Sequence, residues 1–346
     1  MRSKSFKFLL YCVLPLAFFA CKKENTSAVE DKGLTPYNLV IPNGFPAMMI
    51  PSDNPMTVEG VALGKLLFHD PILSGNNTQS CASCHLRKFG FSDSSNQFST
   101  GIQGLKGPRN AMPLINLGWA TQFFWDGGAA NLESQVVGPI QNPLEMHQDL
   151  VAALVELNAH PTYPALFKKV FGGTQIGTSM LMRAIAQYER TLISGNSRYD
   201  QFKRGTTTLS QSEMRGMNLF QNPNKGDCAH CHTMGGLFSD FDYRNTGLDS
   251  IAVDKGRELI TLKPLDRGKF KTPILRNIEV TGPYMHDGRF KTLEECVQHY
   301  NVGYHYTQNL DPNLVNSVKG RLNNAEVQDI VAFLKTLTDT EFLSAE

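Results

Sequence analysis

The chain is poor in charge. Among its 346 residues, 33 Lys and Arg stand against 32 Asp and Glu, a net charge of +1, and charged residues make up only 19%. With no basic run beyond the first residues, nothing in this balance favours nucleic acid. No alternating strand pattern of any length appears, which argues against a β-sandwich or barrel. The one long apolar run, LLYCVLPLAFFA, is too short for a confident membrane-spanning helix. Cysteine is scarce, with seven in all. Each of the seven has a separate role to fill, and no pair is left for a disulfide.

Four of those cysteines sit in two copies of one pattern. Residues 80–85 read SCASCH and residues 227–232 read DCAHCH, so that Cys81, Cys84 and His85 recur as Cys228, Cys231 and His232. Two thiols at this spacing can each add to a vinyl group of one haem, and the adjacent His then lies beneath the iron; Cys-x-x-Cys-His is read as a c-type haem attachment site. The competing readings are zinc and a thioredoxin-like redox pair. Zinc pairs lie close in sequence, whereas here the gap is 228 − 84 = 144 positions. A redox pair needs neither the His nor a second copy. Two covalently bound haem c groups are therefore expected.

The N-terminus reads as a targeting segment, a basic MRSKSFK followed by the apolar run, ending at Ala20-Cys21 before KKENTS. A small residue before a Cys resembles a lipoprotein signal, which would make Cys21 a lipidated N-terminus and its only membrane link. An ordinary secretory signal with an incidental Cys is the alternative. Either way the chain leaves the cytoplasm, for the periplasm or cell envelope. Cys12 goes with the signal, and Cys296, in the apolar phase of LEECVQHY, is expected as a small buried hydrophobe.

A polar, then Pro-rich leader comes next. Helical periodicity appears in VEGVALGKLLFHD, MHQDLVAALVELNA, SMLMRAIAQYERTLIS, LSQSEMRGMNLFQ and NAEVQDIVAFLKTL, with long loops between them. From about residue 206 the second part repeats the first in outline: helix, Cys-x-x-Cys-His, long loops, helix. The expected fold is mainly α, with loops wrapping two haems.

Several further stretches resemble the bacterial di-haem cytochrome c peroxidases and their relative MauG: GPRN (107–110), FFWDGGAANLESQ (123–135), GPIQNPLEM (138–146) and KTPILRNIEVTGPYMHDGRFKTLEE (271–295). The resemblance spans nearly the whole chain after the leader. It implies two cytochrome c-like domains: 1–20 a signal peptide of lipoprotein type, 21–50 a tether, 51–205 the peroxidatic haem domain, and 206–346 the electron-transfer haem domain, whose C-terminal tail can pack back on the first. It implies Glu145 as the group that moves a proton between peroxide oxygens, Gln135 as the distal-pocket amide, and Trp125 as an electron relay between haems. From the residues alone, Glu145 reads as a helix-start carboxylate and Trp125 as packing. The resemblance also implies Ca²⁺, held by the Asn110 side chain and the carbonyls of Thr281 and Pro283.

Two departures matter. Family members often cap the first iron with a His in the loop after the motif; between Leu86 and Gly107 there is none, so an open first haem, active without prior reduction, is expected. At the position of the usual Met ligand to the second haem stands Tyr300, as in MauG, with Met285, His299 and His305 as rivals; His286 is set apart from these because it belongs to the family's HDG element. A Tyr in place of Met should lower the potential. The leading expectation is reduction of hydrogen peroxide with electrons from a small cytochrome c or cupredoxin. The alternatives are a MauG-like enzyme oxidising a protein side chain, and a non-catalytic electron carrier. Family members are often dimers, yet no stretch declares a homodimer interface.

Overall fold

The computed structural model describes residues 33–93 and 96–345; Cys12, Cys21 and the signal segment lie outside them. The architecture is helical. The helices that position the two motifs and their surroundings are α1 (Val58–His69), α2 (Cys81–Cys84), α3 (Leu132–Gln135), α4 (Leu150–Ala159), α5 (Thr178–Arg190), α6 (Gln211–Gln221), α7 (Leu293–Gln298) and α8 (Asn324–Lys335). The named sheet among the described residues is one antiparallel pair of two-residue strands, β1 (Tyr243–Arg244) and β2 (Phe270–Lys271).

Local sequence explains the helix ends. Thr57 caps α1 through its hydroxyl, accepting from the Gly60 N–H at 3.0 Å. Ser210 with Glu213, and Asn323 with Glu326, form reciprocal capping boxes at α6 and α8. Asp149 caps α4 by accepting from the Ala152 N–H at 2.9 Å. The MHQDLVAALVELNA pattern thus becomes helical at Leu150, with Asp149 rather than Glu145 serving the helix N-terminus.

Two helix crossings build the cores, and they are repeats of one another. Where α1 meets α5, a Cβ on Gly64 would overlap the Ala184 carbonyl oxygen and crowd the Tyr188 side chain. Where α6 meets α8, a Cβ on Gly216 would overlap the Asp329 carbonyl oxygen and crowd Phe333. Each glycine lets two backbones touch, and each is followed four residues later by a buried phenylalanine, Phe68 or Phe220. One apolar cluster gathers Leu63, Leu67, Phe167, Leu181 and Ile185; another gathers Phe220, Phe238, Val327, Ile330 and Phe333.

Two segments bind the periphery. The stretch from Leu34 to Ile50 contains no helix: Trp119 donates from Nε1 to the Pro46 carbonyl at 2.8 Å, and the guanidinium of Arg276 lies 4.8 Å from the Phe45 ring centre. Arg276, fully buried, is paired with Asp200. At the other end of the chain, Phe342 sets its ring 5.9 Å from that of Phe91, and Arg87 donates to its carbonyl at 3.3 Å.

Candidate active site

Each motif histidine is held in the same way. His85 has Nδ1 2.7 Å from the Phe91 carbonyl oxygen, and His232 has Nδ1 3.0 Å from that of Phe238. The carbonyl can only accept, so Nδ1 carries the proton and Nε2 keeps its lone pair. Burial lowers the basicity of both rings, which favours the neutral, ligating form. Phe91 and Phe238 stand six residues after their histidines, and both adopt the left-handed region, at φ 57° and 54°. That conformation is costly for a large aromatic, and here it turns the carbonyl toward the ring. Sequence reading missed this pair, although a Phe at the same offset from both motifs was a visible signal.

The residues fit covalent haem twice over. Cys81, Cys84 and His85 line one cavity of about 1090 Å³. Cys228, Cys231 and His232 line another, of about 230 Å³. Apolar walls face each, with Phe123, Val136 and Ile185 in the first and Phe220, Leu275 and Ile330 in the second. Among the described residues no group of three or more His, Cys, Asp or Glu is arranged to hold a metal, so the motif cysteines do not assemble a zinc cage. Burial pushes the thiols up, to about 12 for Cys81, Cys228 and Cys231 and about 11 for Cys84.

The first cavity is the one that Glu145 and Gln135 face. Glu145, in a turn ahead of α4, lines it together with Gln135 at the end of α3. Burial pushes the Glu145 carboxyl above the usual range, opposed by the Asn142 amide, which donates to Oε1 at 2.7 Å. The Gln135 side-chain oxygen is buried without a hydrogen-bond partner. The second cavity has Tyr300 in its wall, in a π-helical turn spanning His299–Gly303; such turns recur at functional sites. Burial drives its phenol pKa up. Of the rivals, Met285 lines this cavity too, as does His286. His299 instead directs Nε2 to the Thr246 carbonyl at 3.0 Å, and His305 does not line it. Cys296, half-buried, forms part of the same wall.

Trp125, Asn110 and Lys271 line both cavities. The Trp125 indole donates to the Asn110 carbonyl at 2.9 Å, and the Lys271 N–H donates to the Trp125 carbonyl at 2.8 Å. Lys271 is a second residue that sequence reading missed. Its ammonium donates to the Gln122 carbonyl at 2.9 Å, and burial draws it down to about 8. Asn110, Thr281 and Pro283 share the wall of the second cavity. Asn110 uses its amide N–H groups on the Asn96 and Gln97 carbonyls at 3.2 and 3.0 Å, leaving Oδ1 to face elsewhere.

A family model described as di-haem cytochrome c peroxidase matches residues 58–208. The chain is 38% identical to the methylamine utilization protein MauG of Methylorubrum extorquens, over 83% of this chain and 80% of that one. It is 37% identical to the cytochrome c551 peroxidase of Nitrosomonas europaea, over 85% and 84%. Among solved structures, a MauG-like protein associated with microbial copper homeostasis superposes with a TM-score of 0.81 at 33% identity, covering 89% of this chain and 97% of that one. With the fold, both motifs and the long reach of these likenesses in agreement, the chain belongs to the di-haem cytochrome c peroxidase family.

Proposed function

We propose that this protein reduces hydrogen peroxide to water, drawing two electrons from an external one-electron donor, a small cytochrome c or a cupredoxin. The observation that carries this reading is the placement of two residues: Glu145 and Gln135 line the His85 cavity, and neither lines the His232 cavity, which has Tyr300 in its wall instead. A haem held by Cys81, Cys84 and His85 would supply the site for peroxide and the electrons for O–O cleavage. Within that site Glu145 takes a proton from one peroxide oxygen on its carboxylate and returns it to the other. Burial raises its pKa, which makes the carboxylate a readier proton acceptor than a solvated one. Gln135 Oε1, with no partner of its own, accepts a hydrogen bond from the peroxide O–H and orients it. Trp125, in the wall of both cavities, relays electrons between the His232 and His85 sites. Asn110 Oδ1 and the carbonyls of Thr281 and Pro283 form a hard-oxygen set suited to Ca²⁺ beside the second cavity. We assign 51–205 and 206–346 to the two haem domains, and the N-terminal segment to export, with lipidation at Cys21 as the anchor to the cell envelope.

A second reading has its own support. Tyr300 lines the second cavity, and no His lies between Leu86 and Gly107. Both favour a MauG-like enzyme that oxidises a protein side chain. One assay separates the readings. The haem-loaded, fully oxidised protein is given peroxide and reduced cytochrome c, with Glu145→Gln beside it. Oxidation of cytochrome c without pre-reduction, slowed about 10²–10⁴-fold in the variant, is expected. Peroxide consumption at the haem with cytochrome c left reduced would favour the side-chain oxidase. Absence of any reaction with peroxide would leave only an electron carrier.

A further inference from the structure

The repeat gives a register in which the two haem sites can be compared position by position. Tyr188 crowds Gly64 as Phe333 crowds Gly216. Three residues before each, Ile185 and Ile330 face their respective cavities. One residue after each stand Glu189 and Leu334, which also face those cavities. Where the second site has a leucine, the first has a carboxyl.

That carboxyl is not accommodated as a structural ion. Glu189 is 3% exposed, and its Oε2 is buried with no hydrogen-bond partner. Its charged neighbour Arg190 donates from Nη2 to Glu133 at 3.0 Å and sets Nη1 2.8 Å from the other Glu133 oxygen, although Nη1, like Glu189 Oε2, has no well-directed hydrogen-bond partner. Around Glu189 the charged and titratable groups are Arg190 and Tyr188 on its own helix, Glu133 on α3, Cys81 on α2 and His69 on α1 beside Tyr188. Arg87 stands across from Tyr188, and Glu145 belongs to the same cavity. A buried carboxyl without a partner is expensive, and the helix register offers leucine as a working substitute.

We propose that Glu189 is a proton-holding group of the first haem site: it keeps a proton at Oε2 while that site is reduced and releases it when the site loses an electron. The electron leaves to the redox partner and the proton to water; on reduction both return, so the cavity's net charge changes little. Burial, which pushes this carboxyl up to about 8, brings the exchange into the neutral range. The inference rests on the assignment of a haem to His85, but not on that haem being peroxidatic.

The test is a redox titration of the haem-loaded protein from about pH 6 to about pH 9. Wild type is compared with Glu189→Leu, the residue of the other repeat, and Glu189→Gln, which keeps the shape. In wild type the equilibrium constant for reducing the first haem should fall up to tenfold per pH unit, which is 59 mV for one electron. In both variants that dependence should flatten, while the second haem titrates alike in all three. Equal pH dependence of the first haem in wild type and both variants would overturn the proposal. Peroxide reactivity, followed on the same samples, judges the catalytic reading separately: its absence alongside a flattened profile would sink that reading and leave this one standing.

Discussion

Glu189 leaves a mark on stability as well as on potential. Its folded-state pKa is raised to about 8, so its contribution is fully present below the unfolded carboxyl's pKa. Above that point the unfolded chain ionises while the folded chain still holds its proton. The contribution is then lost as pH rises toward the folded value, at up to about 1.4 kcal/mol per pH unit. Denaturant titration should therefore show wild type losing stability relative to Glu189→Leu between about pH 5 and pH 8. Equal slopes for the two proteins would mean that the carboxyl is solvated or paired in solution. At this scale the sequence was unevenly readable. Cys-x-x-Cys-His announces its chemistry because covalent attachment demands those residues in order. Glu145 and Gln135 stood out only through the resemblance, because a lone Glu or Gln carries no pattern. Glu189 and Lys271 could not be found, because what sets them apart is the burial of one polar group, a property of the packed chain and not of its neighbours in sequence.

Among the elements, the two helix crossings carry the architecture. The backbone contact at Gly64 and at Gly216 leaves no room for a methyl group. Gly64→Ala or Gly216→Ala should cost about 1–3 kcal/mol by forcing the helices apart. The effects should be local: the first variant should broaden the spectrum of the His85 haem, the second that of the His232 haem. Resonance Raman spectra of both proteins would check this, and a perturbation of the wrong haem in either would refute the repeat as described. The helices themselves were readable from 3.6-residue periodicity, and their boundaries largely from caps. Some boundaries shifted: α5 stops at Arg190 although the periodic stretch runs on to Ser194, and Asp149 takes the cap of α4, so that helix begins at Leu150 and Glu145 is left in a turn facing the first cavity. The loops between helices were read only as long, since their paths are set by hydrogen bonds to distant residues, such as Lys271 N–H to Trp125.

Across the whole molecule, the question is how two sites act as one. Trp125, Asn110 and Lys271 stand in both walls and are joined by two short hydrogen bonds through the Trp125 residue. Trp125→Phe keeps an aromatic ring but lacks the indole N–H and is harder to oxidise. Stopped-flow reduction should show the His232 haem filling at the normal rate and the first haem refilling more slowly after peroxide. An unchanged refilling rate would assign the indole to packing alone. The two-site plan was the most legible feature of the chain, because a motif that occurs twice with matching flanks states its own duplication. The junction between the sites was not legible, because it is assembled from residues far apart in sequence.

The turn at Arg87–Phe89 comes directly after the first haem motif, yet it is covered by Phe342, 255 residues later. At about 5–20 residues per second, that separation is about 13–50 s of synthesis. Throughout that interval Phe91, whose carbonyl supports His85, lacks the Phe342 ring that packs on it. The last residues thus cover a support of the first motif without lining its cavity, so attachment of haem to that motif should not require them. A chain cut after Asp339 should then still acquire both haems, as pyridine haemochrome absorbance would report, while losing heat resistance at the first site ahead of the second.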